Sequence, residues 1–561
     1  MKFKFSSALI GFFAIIIFGL IALQWTSHEW LLSSANSLVK DGEASSHSKS
    51  MLDNIKFNSL FAVVFFTLLL IATIYKKDSI PVYIKDFSPF IKSKGISILK
   101  TFKTYQSTTN LVLAVLIVIG SFARFMLLND AITYDEAFSV NQYSTTSFVN
   151  ILSNYNYPNN HILYNLINRI VIPFIGTSEL SIRLPAFLFG ILCLPSLIIL
   201  GQLLFKSEKK SLILVSLFAF SPLLIEYSAM ARGYSLVWFL IIWALIFILK
   251  LQSTRDKRYF TLIVLCLSLS FWTIPVSLIP FLVLLLITYR KIGTVDSLKL
   301  AVTTIIATSI LYLPVLVIYG GKLPEIIKLG EESSFQRLFD YHITHCLYDL
   351  YYNFIMTKPI LFSGFTLIFI AALLKFRKSQ IAWYGYILIA IIAAVIFQKN
   401  IPPARVWSTI LLFIYIPFAS VLGEIFYKAK GILIYFIVPL LLIVQLVVFK
   451  KSTFIMNDFR YESAETIVSM VSEPTAIICE FPMEAPLEYY WKAYLRDFNQ
   501  FNVLDDHLLI VISLKHQQTL NEVCEKWKIY PSRLDLFYQD EEVEVYQLKQ
   551  VLDSNFIKFE F

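Results

Sequence analysis

Two neighbouring carboxylates, Asp135 and Glu136 in the run ITYDEAFS, follow an apolar stretch over residues 110–127. Such a pair, placed where an apolar stretch ends, can take a proton from an attacking nucleophile or hold a divalent cation at the edge of a bilayer. Asp135 also reads as the cap of a surface helix, ordinary N-terminal chemistry with Phe138 and Ser139 following. Two arginines stand in comparable places: Arg232 in EYSAMARGYSL and Arg405 after Asn400, Ile401, Pro402 and Pro403. A guanidinium presents forked donors suited to an anionic phosphate headgroup, and both are candidate donor-phosphate ligands. The alternative for Arg232 is snorkelling to lipid phosphate or pairing with Glu226. His161, at the head of HILYNLINRIVIPFIG, and Tyr234, two positions after Arg232, are candidate substrate contacts. His342 and His345 in YHITHCLYD have a spacing compatible with metal binding on a helix. No acidic general-base pattern accompanies them, so they read as one face of an interfacial helix. The chain has no phosphate-cradling Gly-rich loop, Walker motif or serine-hydrolase elbow, which argues against ATP-driven transport by this chain alone.

The elements that must position these groups are membrane spans. With 561 residues, 57% of them hydrophobic, and 49 Phe, the chain is too apolar for a soluble protein. The apolar run over 8–24 reads as an uncleaved span. Further spans are predicted at 59–75, 110–127, 184–204, 211–228, 234–250, 259–272, 275–289, 300–319, 354–374, 381–397, 404–423 and 431–449, about thirteen helices in all. Alternate loops hold 22 Lys and Arg, from Lys76 to Lys430, in about half the length of the opposite loops. By the positive-inside rule those loops and the N-terminus face the cytoplasm, and the C-terminus lies outside. Asp135, Glu136 and the segment 128–183 then share the extracytoplasmic side. The expected organisation is two leading spans with a basic cytoplasmic linker (1–109), a helical membrane core (110–450) and an extracytoplasmic domain (451–561).

Charge follows the same division. Residues 1–451 carry 39 basic and 20 acidic side chains, residues 452–561 carry 9 and 19, so the net charge of +9 does not imply nucleic-acid binding. Within the spans, charged side chains gather at outer ends rather than at the midplane, unlike a transporter or proton pump. The segment 136–176 is too polar to cross the bilayer yet rich in Phe, Tyr, Leu and Ile, which predicts one or two amphipathic helices lying along the surface. In the tail, apolar runs shorten to strand length at Ala476–Cys479, Leu508–Ile512 and Val543–Tyr546. Helix-like stretches separate them, which predicts a small α/β domain ending in a strand or hairpin. Cys479 and Cys524 are compatible either with a disulfide or with two thiols.

TYDEAFS, NNHILYNLI, LSIRLPAFLFG, YSAMARGYSL and PPARVWSTILLFIYIP, in that order and on one predicted side of the membrane, resemble motifs of the GT-C glycosyltransferases. The likeness is to their protein O-mannosyltransferase and aminoarabinose-transferase-like superfamily and covers about 110–450. The resemblance implies an integral membrane enzyme that moves a sugar from a polyprenyl-phosphate donor to a glycan, lipid or protein acceptor on the extracytoplasmic face. It implies Asp135 as catalytic or cation-binding aspartate with Glu136 its partner, and Arg232 and Arg405 near the donor phosphate. Two motifs depart from the family pattern: Met230 stands where an acidic residue is common, and Asn159, Asn160 and His161 replace a His-Pro-Pro form.

This chemistry agrees with the residues read on their own. A lipid phosphate leaves as an anion, which fixed cations stabilise, while the acceptor loses a proton that an interfacial carboxylate can take. Direct attack would invert the anomeric centre. Asp135 is expected as base or metal ligand, and Glu136 as metal ligand or anchor. The rival readings are a transporter or flippase of lipid-linked sugars and a non-catalytic membrane scaffold.

Overall fold

The computed structural model describes residues 2–27, 29–30, 49–79, short pieces between 85 and 93, 107–157, 159–320, 378–398, 408–428, 460–470, 476–479, 481–494, 508–514, 518–527 and 529–548. The predicted spans 354–374 and 431–449, together with Arg405, His342 and His345, lie outside the described residues. The chain divides into two compact units. Met1–Leu128, Thr146–Arg169 and Arg183–Phe454 form the first; Asn129–Thr145, Ile170–Ile182 and Ile455–Phe561 form the second.

The first unit is helical, and the chain is a multi-pass membrane protein. Among the described residues six helices are long and apolar enough to cross a bilayer. The first two, α1 (Lys2–Ala22) and α2 (Lys49–Tyr75), pack on each other and are joined by Gln24 Nε2, which donates to Lys56 O at 3.0 Å. They present Phe12, Phe18, Phe61, Leu68 and Ile71 outward, the surface expected of lipid-facing helices. After α3 (Ser107–Phe125) come three helices of the polar segment: α4 (Tyr134–Ser139), which belongs to the second unit, α5 (Phe148–Ser153) and α6 (Ile162–Ile175), whose last turns do too. The core continues with α7 (Glu179–Phe205), α8 (Glu208–Ala219), α9 (Pro222–Ser228), α10 (Tyr234–Thr254), α11 (Arg258–Thr273), α12 (Leu278–Lys291), α13 (Thr294–Leu311) and α14 (Leu313–Tyr319). Later helices are α15 (Lys378–Gln398) and α16 (Leu411–Lys428). Helix α10 is buried on nearly every side and forms the centre of this unit.

Prolines subdivide the expected spans. The predicted span 211–228 is two helices, α8 and α9, bent by 63° where Pro222 begins α9. Proline has no N–H, so the carbonyl of Phe218 loses its helical donor. Arg124, fully buried in α3, supplies the missing donors: Nη1 reaches Ala219 O at 2.8 Å and Nη2 reaches Phe218 O at 3.5 Å. Arg183 does the same for the turn after α3, where Nη1 donates to Leu128 O at 3.1 Å and Leu127 O at 3.3 Å. Both arginines thus satisfy carbonyls at helix C-termini, where the backbone dipole favours a cation. The apolar stretch 259–289 is two helices, α11 and α12, separated by a tight turn at Pro275–Ser277.

In the second unit the tail is the expected small α/β domain. Its strands are β1 (Ala476–Cys479), β2 (Leu508–Ser513), β3 (Leu534–Gln539) and β4 (Val543–Leu548), in the order β1-β2-β4-β3. Strands β1 and β2 run parallel, as a βαβ crossover through α18 (Glu484–Tyr494) requires. Strands β3 and β4 form the terminal hairpin; Asp540 Oδ1 closes its turn by accepting from the backbone N–H groups of Glu542 and Val543 at 2.7 and 2.8 Å. Helix α17 (Glu462–Met470) precedes the sheet. Helix α19 (Leu520–Trp527) packs Leu520, Val523 and Cys524 on Ile478, Ile510 and Ile512. Cys479 and Cys524 are separate thiols.

Candidate functional site

The predicted functional residues that are described fall in two places, one in each unit, and each is described on its own. In the second unit Asp135 and Glu136 occupy the first turn of α4. The N-cap is Thr133, not Asp135: TYDE is a capping box, in which Thr133 Oγ1 accepts from Glu136 N. Glu136 Oε2 reciprocates by accepting from Thr133 N at 3.1 Å and Thr133 Oγ1 at 3.0 Å. Glu136 is wholly buried, whereas Asp135 is half-buried. The adjacent carboxylates therefore differ in duty. Glu136 has an oxygen committed to Thr133, and Asp135 is the more exposed of the two. Among the described residues no group of three or more His, Cys, Asp or Glu is clustered.

The loop that carries Asp135 is held by the tail of the same unit. Asp130 forms an ion pair with Arg460 at 2.6 Å, and Thr133 makes an isolated antiparallel bridge with Arg460. Ile132 uses both backbone groups: its carbonyl accepts from Tyr461 N at 3.2 Å and its N–H donates to Tyr490 Oη at 3.1 Å. Tyr134 donates its hydroxyl to Glu484 Oε1 at 2.7 Å, and Asn141 Nδ2 donates to Ala485 O at 3.0 Å. The Tyr134 ring stacks on Phe138 and meets the edge of Phe481 at 4.9 Å. Charge is concentrated here. The Tyr461 hydroxyl is pushed up to about 12, by burial first and then by the negative charges of Glu484, Glu542 and Asp135. Burial likewise pushes the Tyr490 hydroxyl up, assisted by Glu179.

In the first unit Arg232, His161 and Tyr234 come together. Residues 229–233 form a tight turn between α9 and α10, with Arg232 N donating to Met230 O at 2.7 Å. The Arg232 guanidinium is almost fully buried, and its Nη2 donates to Asn159 Oδ1 at 3.3 Å. Arg232 pairs with Asn159 rather than with Glu226, whose buried carboxylate oxygens have no hydrogen-bond partner. His161 Nδ1 accepts from Gly233 N at 2.9 Å, which fixes the imidazole as the neutral tautomer protonated on Nε2. Its ring meets Tyr234 edge-on at 5.5 Å, and Tyr234 in turn meets Tyr227 at 4.8 Å. Gly233 is required by packing: a Cβ there would lie 2.3 Å from Thr273 Cγ2. Nearby, the Tyr155 hydroxyl is raised by burial, with Tyr312 and the charge of Arg232 acting in the opposite sense.

Sequence reasoning singled out Arg232 and His161 separately and did not see that His161 holds the turn on which Arg232 stands. It also missed Tyr134, Asn159 and Glu484. The TYDE pattern carried a local signal for the cap. Nothing local links Tyr134 with a carboxylate 350 positions away.

The fold is that of ArnT, to which the chain is similar over most of its length. The crystal structure of ArnT from Cupriavidus metallidurans in the apo state superposes with a TM-score of 0.51 at 13% identity, covering 79% of this chain and 98% of that one. The structure of the same protein bound to undecaprenyl phosphate gives a TM-score of 0.48 at 12% identity, covering 79% and 99%. No family model and no curated protein matches the sequence.

Proposed function

We propose that this protein is a GT-C-type membrane glycosyltransferase that moves a sugar from a polyprenyl-phosphate donor to a glycan, lipid or protein acceptor. It is read as an inner-membrane protein with its N-terminus in the cytoplasm and its C-terminal domain outside. The observation that carries the reading is the fold: nearly the whole of ArnT, an aminoarabinose transferase, has a counterpart here. The local geometry supports the roles. Asp135, half-buried on a braced helix, is assigned as the base that takes the acceptor's proton as it attacks the anomeric carbon in line with the departing phosphate. Glu136 is assigned as the anchor of that helix. Arg232, oriented by Asn159 on a turn held by His161, is assigned to the donor phosphate, with Arg405 as a second cation for the same anion. Tyr234 and His161 line the Arg232 turn as substrate contacts.

The test is transfer by the purified full-length protein from a panel of sugar-labelled undecaprenyl-phosphate hexoses and pentoses. The expected result is consumption of at least one donor. Asp135→Asn should then lower kcat by ~10²–10⁴-fold, and Arg232→Gln should lower kcat/KM by ~10²-fold, both without loss of folded protein. Failure of the panel, or an Asp135→Asn variant as active as the wild type, would overturn the reading.

A further inference from the structure

We propose that Glu484, the first residue of α18 in the C-terminal domain, is a positioning residue for Asp135, acting through the hydroxyl of Tyr134. This rests on the assignment of Asp135 as the base.

Tyr134 immediately precedes Asp135, so any displacement of its backbone moves the carboxylate. Its ring contacts Phe138 and Phe481, and its hydroxyl is anchored separately. That hydroxyl donates to Glu484 Oε1 at 2.7 Å, a charge-assisted bond of the shorter, stronger kind. The neighbouring residue reinforces the same contact, because Ala485 O accepts from Asn141 Nδ2 beyond the far end of α4. Helix α18 therefore grips the loop on both sides of Asp135, at 134 and at 141.

A staple built for stability alone would not need a carboxylate at this position. Glu484 Oε2 is buried and has no hydrogen-bond partner among the described residues, a feature that costs stability. A single neutral acceptor such as a hydroxyl could accept from Tyr134 Oη without placing a second carboxylate oxygen in the buried site. What the carboxylate adds is a stronger, more directional hold on Tyr134. The Tyr461 hydroxyl, whose proton affinity is raised by burial first and then by the charges of Glu484, Glu542 and Asp135, lies in the electrostatic neighbourhood of both carboxylates.

A small misplacement of a reacting group can cost ~10²-fold in rate. The experiment compares Glu484→Ala, Glu484→Gln, Tyr134→Phe, the double variant Glu484→Ala/Tyr134→Phe and Asp135→Asn in full-length protein. It uses sugar-labelled undecaprenyl-phosphate mannose and arabinose as probes, with kcat expressed per folded molecule. Glu484→Ala and Tyr134→Phe should each lower kcat by ~10–100-fold while donor KM stays within about threefold, and the double variant should be no worse than either single one. Glu484→Gln keeps an acceptor oxygen but loses the charge, and should recover only part of the loss. Hydrogen exchange over residues 130–145 should quicken in Glu484→Ala and Tyr134→Phe alike. Full kcat in folded Glu484→Ala, or losses that multiply in the double variant, would overturn the positioning role while leaving the base assignment standing. An Asp135→Asn variant with wild-type kcat would instead overturn the base assignment, and the positioning role with it.

Discussion

Replacing Glu136 should separate structure from chemistry within the carboxylate pair. Its Oε2 accepts two hydrogen bonds from Thr133, at 3.1 and 3.0 Å, in a site with no solvent exposure. Glu136→Ala strands the Thr133 N–H and hydroxyl in a buried place, where each unsatisfied donor costs ~1–3 kcal/mol. Half of the capping box also goes, a loss of ~1 kcal/mol by the usual measure of a helix cap. These contributions overlap, so the expected destabilisation is ~2–3 kcal/mol rather than their sum. Glu136→Gln keeps an acceptor oxygen and should cost ~1 kcal/mol. Thermal unfolding of the detergent-solubilised protein measures the loss, and hydrogen exchange over residues 130–145 localises it. Transfer per folded molecule should fall far less in Glu136→Gln than in Asp135→Asn. Abolished transfer in Glu136→Gln with undiminished stability would refute the anchoring role and put Glu136 in the chemistry. A Glu136→Ala variant as stable as the wild type would refute the capping argument itself.

Two further outcomes are expected. Arg124→Met removes the donors to Phe218 O and Ala219 O at the break before Pro222, and relief of the buried charge offsets only part of that. A destabilisation of ~2–4 kcal/mol is expected, with transfer per folded molecule retained, read by thermal unfolding beside the activity assay. Gly233→Ala drives a methyl to within 2.3 Å of Thr273 Cγ2, on a side chain pinned by its own hydrogen bond to Leu269 O. Overpacking of ~1–3 kcal/mol should displace the Arg232 turn and raise donor KM by ~10-fold, and an unchanged KM in a donor titration would show that the turn tolerates it.

Much of the architecture was legible because it is written in local pattern. The tail strands at Ala476–Cys479 and Leu508–Ser513 emerge from short apolar runs whose length excludes long helices. Proline placed the breaks, although 211–228 read as one continuous span because hydropathy averages across Pro222 and hides the bend. Asp135 and Thr133 are both good cap residues, and the arbiter was Glu136, which stands three positions after Thr133 and one after Asp135. That signal was present in TYDE. The uses of Arg124 and Arg183 were not legible in the same way, because each serves carbonyls on another helix or turn, set by the packing of distant segments.

The site residues were legible one at a time and not in their relations. Arg232 and His161 each stand out as a polar side chain beside an apolar stretch, but their connection runs through the backbone N–H of Gly233, which no side-chain pattern advertises. The same holds for Asp135. A helix of six residues has too few internal hydrogen bonds to persist by itself, so α4 must be held by contacts from elsewhere. Those contacts come from residues 460–490: Arg460 at Asp130, Tyr461 and Tyr490 at Ile132, Glu484 at Tyr134, and Ala485 at Asn141. The acidic tail, which reads in the sequence as a separate domain, thus braces the short helix that carries Asp135. A base is effective only while its oxygen stays within hydrogen-bond reach of the proton it removes, and if Asp135 is the base proposed above, that reach is set from the far end of the chain.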